Sequence, residues 1–282
     1  MMATGQSRLV PYIITIIISV LLSYAAIKLS GGGAGGGQAT AESTLDRILR
    51  TKTLHEGICT GQVPYCFRDA QGNQVGVEPE MGREMAKALG VNLDIVETAD
   101  PNRIPFVNAG KIDFAFGTIT LERAKVVSYG GLWVVDATAG AVLSGSGTAD
   151  YDALKAGKTI GAIRGDTGDI YATKAFPNAK FVRVDDAATL LQALLKKQVD
   201  AIFHDYSSLS LWKADHPEIT VLKAVDREPS GLMVRLGDQK WINWVGWFLN
   251  DYYGSGVSTC GCGKDVLRKY LKAEPLPLLF NY

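Results

Sequence analysis

The stretch GTITLER, which ends at Arg123, places two hydroxyls and a guanidinium directly after an apolar run. Thr118 and Thr120 carry the hydroxyls, and the planar fork of Arg123 can hold a carboxylate through two parallel hydrogen bonds. The sequence predicts a helix start here, where free amides and the helix dipole also favour an anion. The stretch therefore indicates a carboxylate-binding site. The alternative is that Thr120 caps the helix and Arg123 lies in solvent.

A second polar group opens another predicted helix. It consists of Gly165, Asp166, Thr167 and Gly168, whose backbone amides and threonine hydroxyl can also bind an anion. A turn followed by an ordinary helix cap explains the same residues equally well. Both interpretations remain open at this point.

The third polar group is His204 and Asp205, at the end of the apolar run VDAIFHD. Asp is common as a helix cap, so Asp205 can simply cap the helix predicted to begin at Tyr206. Its carboxylate is also the partner that an ammonium group needs, opposite the carboxylate site at Arg123. A site that binds a carboxylate and an ammonium together indicates an α-amino acid as ligand.

All three polar groups follow strands in a chain that alternates strands and helices. Strands are predicted at residues 53–59, 91–98, 111–118, 158–163, 179–184 and 199–205, and helices within residues 71–90, 102–110, 165–176, 185–198 and 240–256. This order is typical of α/β folds and recurs after residue 150, which indicates two α/β lobes. Ligands of open α/β sheets bind beyond the carboxyl ends of the strands, where the three groups lie.

The composition excludes several classes of partner. The 282 residues include 29 basic and 29 acidic side chains, so the net charge is zero and no broad field attracts nucleic acid. The chain is 47% hydrophobic and long enough for one large domain or two modest lobes. Recognition of a charged ligand must therefore be local.

The N-terminus predicts export of the chain. The run from Leu9 to Ile27 is almost entirely apolar and is close to the length that spans a bilayer. We expect residues 1–29 to form a signal peptide or membrane anchor, with an uncleaved anchor favoured over cleavage after Ala25, and residues 30–43 to form a Gly-rich tether. These segments place the folded body in the periplasm or on the exterior of the cell envelope.

Four cysteines lie in the part of the chain expected outside the cytoplasm, where disulfides form. Their spacing does not match the usual ligand pairs of a zinc site, and no metal is expected. Cys260 and Cys262 are separated by one residue, which disfavours a relaxed bond between them. The geometry therefore favours bridges from this pair to Cys59 or Cys66.

The order of these motifs from Thr44 to about Gly256 resembles the polar amino-acid-binding proteins of bacterial ABC importers, the family-3 extracellular solute-binding proteins. The resemblance is strongest at GTITLER and at the later His-Asp pair. It implies a two-lobed α/β fold of the type II periplasmic-binding-protein class, with a mixed sheet flanked by helices in each lobe and two hinge strands. By this resemblance, residues 44–134 and 229–282 form lobe 1, and residues 135–228 form lobe 2.

The resemblance also implies roles for individual residues. Thr118 and Arg123 match the carboxylate binders of the family, Asp205 matches the ammonium binder, and Thr167 and Gly168 match carboxylate donors from the second lobe. The other residues expected to touch the ligand are Gln62, Tyr65, Gly117, Arg164 and His204.

Several positions depart from the family pattern. Gln62 and Asp100 stand where relatives often carry aromatic residues, so the aromatic sandwich around the ligand is expected to be absent. Asp166 replaces the usual Thr or Ser, which disfavours an acidic ligand side chain unless Arg164 and His204 offset its charge.

The sequence therefore predicts a monomer that binds a polar α-amino acid between two lobes and delivers it to an ABC permease, without a cofactor or catalysis. Cyclohexadienyl dehydratases, which share the scaffold, are one alternative, because a protonated carboxylic acid in the cleft can act as general acid. Asp166 is the unusual acid that favours this reading. A ligand-sensing subunit of a signalling system is the other alternative.

Overall fold

The structure is a computed structural model that describes residues 42–271, except residues 60, 149 and 255. The predicted signal or anchor segment and nearly all of the predicted tether lie outside these residues. Within the described part of the chain, no helix is long and apolar enough to cross a membrane.

The described residues form helices and strands in the alternating order that the sequence predicts. The helices are α1 (Thr44–Thr51), α2 (Val77–Leu89), α3 (Arg103–Asn108), α4 (Thr167–Ala175), α5 (Ala187–Leu195), α6 (Tyr206–Asp215), α7 (Gln239–Tyr253) and α8 (Gly263–Leu271). The strands are β1 (Thr53–Ile58), β2 (Phe67–Arg68), β3 (Gln74–Val75), β4 (Asn92–Glu97), β5 (Phe114–Thr118), β6 (Ser128–Leu143), β7 (Thr159–Ile163), β8 (Lys180–Val184), β9 (Ala201–Asp205), β10 (Ile219–Val221) and β11 (Asp226–Val234). The α/β prediction is confirmed.

One mixed sheet organises these elements, with the strand order β4-β1-β5-β11-β6-β9-β7-β8 and with β10 paired to β6. Strands β4, β1 and β5 are parallel at one end, and β9, β7 and β8 are parallel at the other. Between them, β6 and β11 pair antiparallel with each other. The two parallel groups are thus joined through two long strands, of 16 and 9 residues.

Two core regions lie on either side of these long strands. The first packs β1 and β5 against helices α1, α2 and α7, and the second packs β7 and β9 against α4, α5 and α6. In α7, the rings of Trp241, Trp244, Phe248 and Tyr252 stack in succession, with centroids 5.3 to 5.6 Å apart. Full burial of a large apolar side chain contributes roughly 1.5–3 kcal/mol to the stability of the fold. The helical spacing of these aromatic residues is therefore explained by packing in the core.

One local expectation is corrected. The helix expected after Thr120 is only a three-residue 3-10 helix, Arg123–Lys125. A single turn of this kind has no developed helix dipole, so an anion at Arg123 would be held by side chains and not by a dipole. The residue pattern alone does not predict the long strand β6, because its glycine-rich sequence SYGGLWVVDATAGAVL lacks a regular alternation, and only the resemblance implies a hinge strand there.

The cysteine pairing also differs from the expectation, because Cys59 pairs with Cys66 and Cys260 with Cys262. The bridges expected between the two pairs are therefore wrong. Backbone hydrogen bonds between Gln62 and Cys66 turn the chain back and bring the Cα atoms of Cys59 and Cys66 to 5.7 Å. At the second pair, Gly261 has a positive φ of 59°, and this turn allows the close bond that the spacing disfavoured.

Gly76 fixes the start of α2 beside the loop of the first disulfide. Its φ is +123°, and a Cβ at this position would lie 2.3 Å from the carbonyl oxygen of Tyr65. The amide of Glu78 donates to the same carbonyl at 2.9 Å. Only glycine permits this approach, which sets the position of Tyr65 relative to the helix.

Glu56 is a fully buried carboxyl on the central part of β1. Neither of its oxygens has a hydrogen-bond partner among the described residues, and a Cβ at Gly82 would overlap the carboxyl. Burial raises the pKa of Glu56 well above its ordinary value of 4.5, and the nearby Glu78 raises it further. The folded state therefore favours the protonated, neutral form.

This burial predicts a pH dependence of stability. Because the pKa is higher in the folded state, the contribution of Glu56 is fully present below pH 4.5 and is lost as pH rises towards the folded pKa. Glu56→Gln removes this titration, so we expect its stability relative to wild type to rise by up to about 1.4 kcal/mol per pH unit in that window. Urea unfolding of both proteins at pH 5, 6, 7 and 8 measures this difference in the free energy of unfolding. Glu122→Gln, on the surface, is the control, and parallel wild-type and Glu56→Gln profiles would contradict the assignment.

Candidate functional site

A cavity of about 430 Å³ lies along the long strands, and its wall includes residues at or just after the carboxyl ends of β5, β7 and β9. Six of the ten residues predicted from the sequence line it: Gln62, Tyr65, Gly117, Thr118, Arg123 and Asp205. The other four, which are Arg164, Thr167, Gly168 and His204, do not.

Arg123 lies at the edge of this cavity and contacts both sides of it. Its Nη1 donates to the carbonyl oxygen of Thr118 at 3.1 Å, and its Nη2 donates to that of Gly165 at 2.9 Å. Its backbone amide donates to the hydroxyl of Thr120 at 3.1 Å, so Thr120 does cap the short turn. The guanidinium is thereby fixed where a ligand carboxylate can reach it, and its remaining N–H groups allow the paired hydrogen bonds that a carboxylate prefers.

Asp205 faces the cavity at the end of β9. Its side chain makes no capping hydrogen bond to α6, although it precedes that helix. Instead it accepts a hydrogen bond from Gln62 Nε2 at 2.7 Å, from the opposite side of the cavity. The carboxyl of Asp205 is therefore directed into the cavity, as the ammonium-binding interpretation requires.

Glu228, on β11, forms a carboxyl pair with Asp205. Glu228 is buried and accepts a hydrogen bond from the Thr138 hydroxyl. Burial raises the pKa of Asp205 well above its ordinary value, and the charges of Glu228, Asp166 and Asp136 raise it further. The ionised forms of neighbouring carboxyls repel one another, so a ligand cation beside Asp205 would favour its ionised form.

Asp136 and Tyr65 connect the two sides of the cavity. The Tyr65 hydroxyl donates to Asp136 Oδ2 at 2.5 Å, and the Ser207 hydroxyl donates to the same oxygen at 2.5 Å. Burial, and then the charge of Asp136, raise the pKa of Tyr65 well above 10, so the phenol remains a donor. Tyr65 lines the cavity, but its hydroxyl is committed to this network.

The predicted anion site at the start of α4 is already occupied by Asp166. This carboxylate caps the helix and accepts from the Thr167 amide at 2.8 Å, while its other oxygen lies 3.4 Å from His204 Nδ1. Burial alone would raise the pKa of Asp166, but the hydrogen bond and charge of His204, with Arg123 and the Thr167 amide, lower it to about 2. Asp166 is thus a fixed anion.

The remaining predicted residues lie outside the cavity wall and contact other parts of the protein. A Cβ at Gly168 would lie 2.7 Å from the Phe203 carbonyl oxygen, so this glycine allows α4 to pack closely on β9. Arg164 is exposed and lies 3.4 Å from Asp185. His204 is only 1% exposed and acts on the cavity through Asp166.

Other residues of the cavity wall were not predicted. Phe116 and Trp133 form an aromatic surface, with ring centroids 4.4 Å apart. Beside them lie Glu78, Asp100 and Arg103. Of these, the sequence singled out only Asp100, as a departure from an aromatic position. Glu78 follows an ordinary helix pattern, and Arg103 was marked only through the resemblance of its segment NRIP to the glutamate, aspartate and glutamine binders of the family.

Among the residues that the structure describes, two groups of side chains have metal-ligand atoms within 4.8 Å of one another: Asp166, His204 and Asp205, and Cys59, Cys66 and Glu78. The second group contains the disulfide, whose sulfurs are not free thiolates to bind a metal. In the first group, His204 Nδ1 and Asp166 already face each other. Both groups are thus explained by contacts within the protein.

The family model of the bacterial extracellular solute-binding proteins, family 3, matches residues 54–258, which is more than half of the chain. The chain belongs to this family.

Individual relatives agree with this assignment. The probable histidine-binding protein of Neisseria gonorrhoeae is 23% identical over 266 residues, which cover 91% of this chain and 96% of that protein. The cyclohexadienyl dehydratase of Pseudomonas aeruginosa is 26% identical over 184 residues, covering 63% and 68%. The crystal structure of a cysteine-binding protein from Campylobacter jejuni has a TM-score of 0.76 at 26% identity, covering 82% of this chain and 94% of that chain.

Arg123 and Arg164 provide a matched pair for testing the cavity. We expect Arg123→Ala to weaken binding of an α-amino acid by at least about 2 kcal/mol, because a charge-assisted pair in a buried site is lost. Arg164→Ala removes a guanidinium outside the cavity and should change affinity by no more than a few tenths of a kcal/mol, as surface changes do. Calorimetry with the best ligand from a thermal-shift screen measures both. Equal effects of the two variants would show that Arg123 is not a ligand contact.

Proposed function

We propose that the protein binds a polar α-amino acid in this cavity and delivers it to an ABC permease. The observation that carries the proposal is that a guanidinium, Arg123, and a carboxyl, Asp205, both lie on the wall of one cavity. These groups are complementary to the carboxylate and the ammonium of an α-amino acid. The family and the names of its relatives support the same ligand class.

The arrangement of the long strands supports closure of two lobes over the ligand. Glu228 pairs with Asp136 and Pro229 pairs with Val135, so the predicted lobe boundaries lie side by side on β6 and β11. We propose residues 44–134 with 229–282 as lobe 1 and residues 135–228 as lobe 2. Hydrogen bonds such as those from Arg123 to Gly165 and from Gln62 to Asp205 then join the lobes across the cavity.

We also propose that the apolar segment in residues 1–29 directs the protein out of the cytoplasm and that, if it is retained, it anchors the body to the membrane through the tether. Such an anchor keeps the binding protein close to its permease. The effective concentration of the binding protein at the permease then depends on the length of the tether rather than on free diffusion.

A second candidate function is a dehydratase of the cyclohexadienyl type, and one observation favours it. Asp205 and Glu228 both line the cavity, and burial with the charge of Glu228 raises the pKa of Asp205, which favours the protonated form that a general acid requires. Asp166, the acid that the sequence suggested, does not fit this role because its pKa is lowered to about 2. We propose binding without catalysis, since the pair is explained by ammonium recognition.

Incubation with prephenate and with arogenate distinguishes the two functions. We expect no product above the uncatalysed background, because the carboxyl of Asp205 binds a ligand cation in the proposed function. Chromatography of the aromatic products measures this directly. Turnover that disappears in Glu228→Gln would establish the enzyme instead.

Asp205→Asn tests the recognition of the ammonium group. The change keeps the shape of the side chain but removes its charge, so a buried ligand cation loses its partner and we expect a loss of about 2–5 kcal/mol in binding. A desamino analogue, which has the carboxylate but no ammonium, should lose little further in the variant. Calorimetry with both compounds gives the comparison. Equal losses for the two compounds would remove the basis for an amino-acid ligand.

A further inference from the structure

The two disulfides differ in how far solvent reaches them. Cys59 and Cys66, which form the buried disulfide, are 4% and 0% exposed. In the surface disulfide, Cys260 is exposed, and Cys262 is half-buried against the first core region. A thiolate breaks a disulfide by attacking one of its sulfur atoms, so access to that atom decides which bond can react. In the folded protein, a thiol can therefore reach the surface disulfide and not the buried one.

The surface disulfide closes a very short ring. Its cysteines are two positions apart, so the bond links no two helices or strands to each other. The buried disulfide spans seven positions and encloses Gln62 and Tyr65 of the cavity wall. In the chain-entropy model, the stabilisation that a disulfide provides grows with the length of the loop that it closes. Opening the surface disulfide should therefore cost the fold less than opening the buried one.

Other contacts hold the loop around Cys260 in place. The carboxylate of Asp251 accepts hydrogen bonds from the Val257 amide at 2.9 Å and from the Ser258 amide at 3.0 Å. The amide of Cys260 donates to Glu84 Oε2, on α2, at 3.3 Å. None of these contacts depends on the bond between the sulfurs. The two cysteines would therefore stay close together after the bond opens, and the bond could form again.

The two sulfurs of the surface disulfide differ in how well they carry a negative charge. The carbonyl oxygen of Cys262 accepts from the Val266 amide at 2.9 Å, which places Cys262 at the N-cap of α8, a helix of nine residues. The free amides and the dipole of a helix N-terminus stabilise a thiolate there. Cys260 lies beside the carboxylate of Glu84, which disfavours a second negative charge. Cys262 is therefore the better leaving group.

We propose that Cys260 and Cys262 form a thiol–disulfide exchange site that accepts two electrons from a dithiol. One thiolate of the dithiol attacks Cys260 Sγ, the bond to Cys262 Sγ breaks, and its electron pair leaves on Cys262 as a thiolate. The second thiol of the dithiol loses its proton and attacks the dithiol sulfur of this mixed disulfide, which releases Cys260 as a thiolate. The dithiol ends as a disulfide, and the two protons that it loses end on Cys260 and Cys262.

Thiol mapping of the full chain tests this proposal. Oxidised protein is treated with dithiothreitol without denaturant, quenched in acid and alkylated, and the labelled peptides are quantified by mass spectrometry. We expect the surface disulfide to be reduced at least about tenfold faster than the buried one, because its sulfur is accessible. The same reaction in concentrated urea is the control, since unfolding exposes all four sulfurs and should narrow the difference. Equal rates in the folded protein, or a surface disulfide that stays oxidised, overturn the proposal.

Paired serine variants separate a reactive bond from a structural one. Cys260→Ser combined with Cys262→Ser should change the melting temperature by no more than about 2 °C, as an ordinary surface change does in a chain of this size. Cys59→Ser combined with Cys66→Ser is the matched comparison and should lower the melting temperature further or prevent folding. Thermal unfolding followed by circular dichroism measures both. A loss in the first pair as large as in the second would show that the surface disulfide is a structural bond and would overturn the proposal.

Discussion

The antiparallel register of β6 with β11 is the constraint on which the cavity depends. It sets Glu228 opposite Asp136, and the neighbouring pairings place Ser230 beside Thr118 on β5 and Thr138 beside Asp205 on β9. Side chains alternate between the faces of a strand, so a shift of one residue would turn this whole set away from the cavity. The register is interrupted near Gly231, where a Cβ would lie 2.3 Å from the Gly131 carbonyl oxygen. The irregularity lies beside residues that line the cavity, such as Ser230.

This register concentrates acidic groups along one cavity. Asp136, Asp166, Asp205 and Glu228 all line the cavity, and their ionised forms repel one another. The structure resolves the repulsion differently at each residue. Asp136 accepts hydroxyl hydrogen bonds, and Asp166 accepts from an amide and faces His204. Burial and the charge of Glu228 raise the pKa of Asp205, so a cation beside Asp205 would favour its ionised form.

Much of the local structure could be predicted from the sequence, because it depends on short-range patterns. Gly90 ends α2 in a left-handed conformation, and Asp186 caps α5 through the Thr189 amide, as their positions in the sequence indicate. Thr118, Arg123 and Asp205 likewise follow the strand ends where an α/β fold places its ligands. These residues line the cavity for that reason.

The remaining features depend on neighbours that are distant in sequence. Glu228 is important through its contact with Asp205, and no motif around Glu228 marks it. Arg164 follows a strand end as closely as Asp166 does, yet it points to Asp185 on the surface. The disulfides illustrate the same limit, because the turn at Gly261 that permits the bond between Cys260 and Cys262 is not visible in their spacing.

The disulfide between Cys59 and Cys66 encloses a segment that contains two residues of the cavity wall, Gln62 and Tyr65. A covalent ring of this size restricts the conformations of the segment before any ligand arrives. Less conformational entropy is then lost when the ligand is bound, and the contact with Asp205 through Gln62 is preorganised. The affinity of the site is thereby coupled to the redox state of its surroundings. An oxidising compartment supplies a rigid wall, whereas a reducing one would leave the same residues on a free loop.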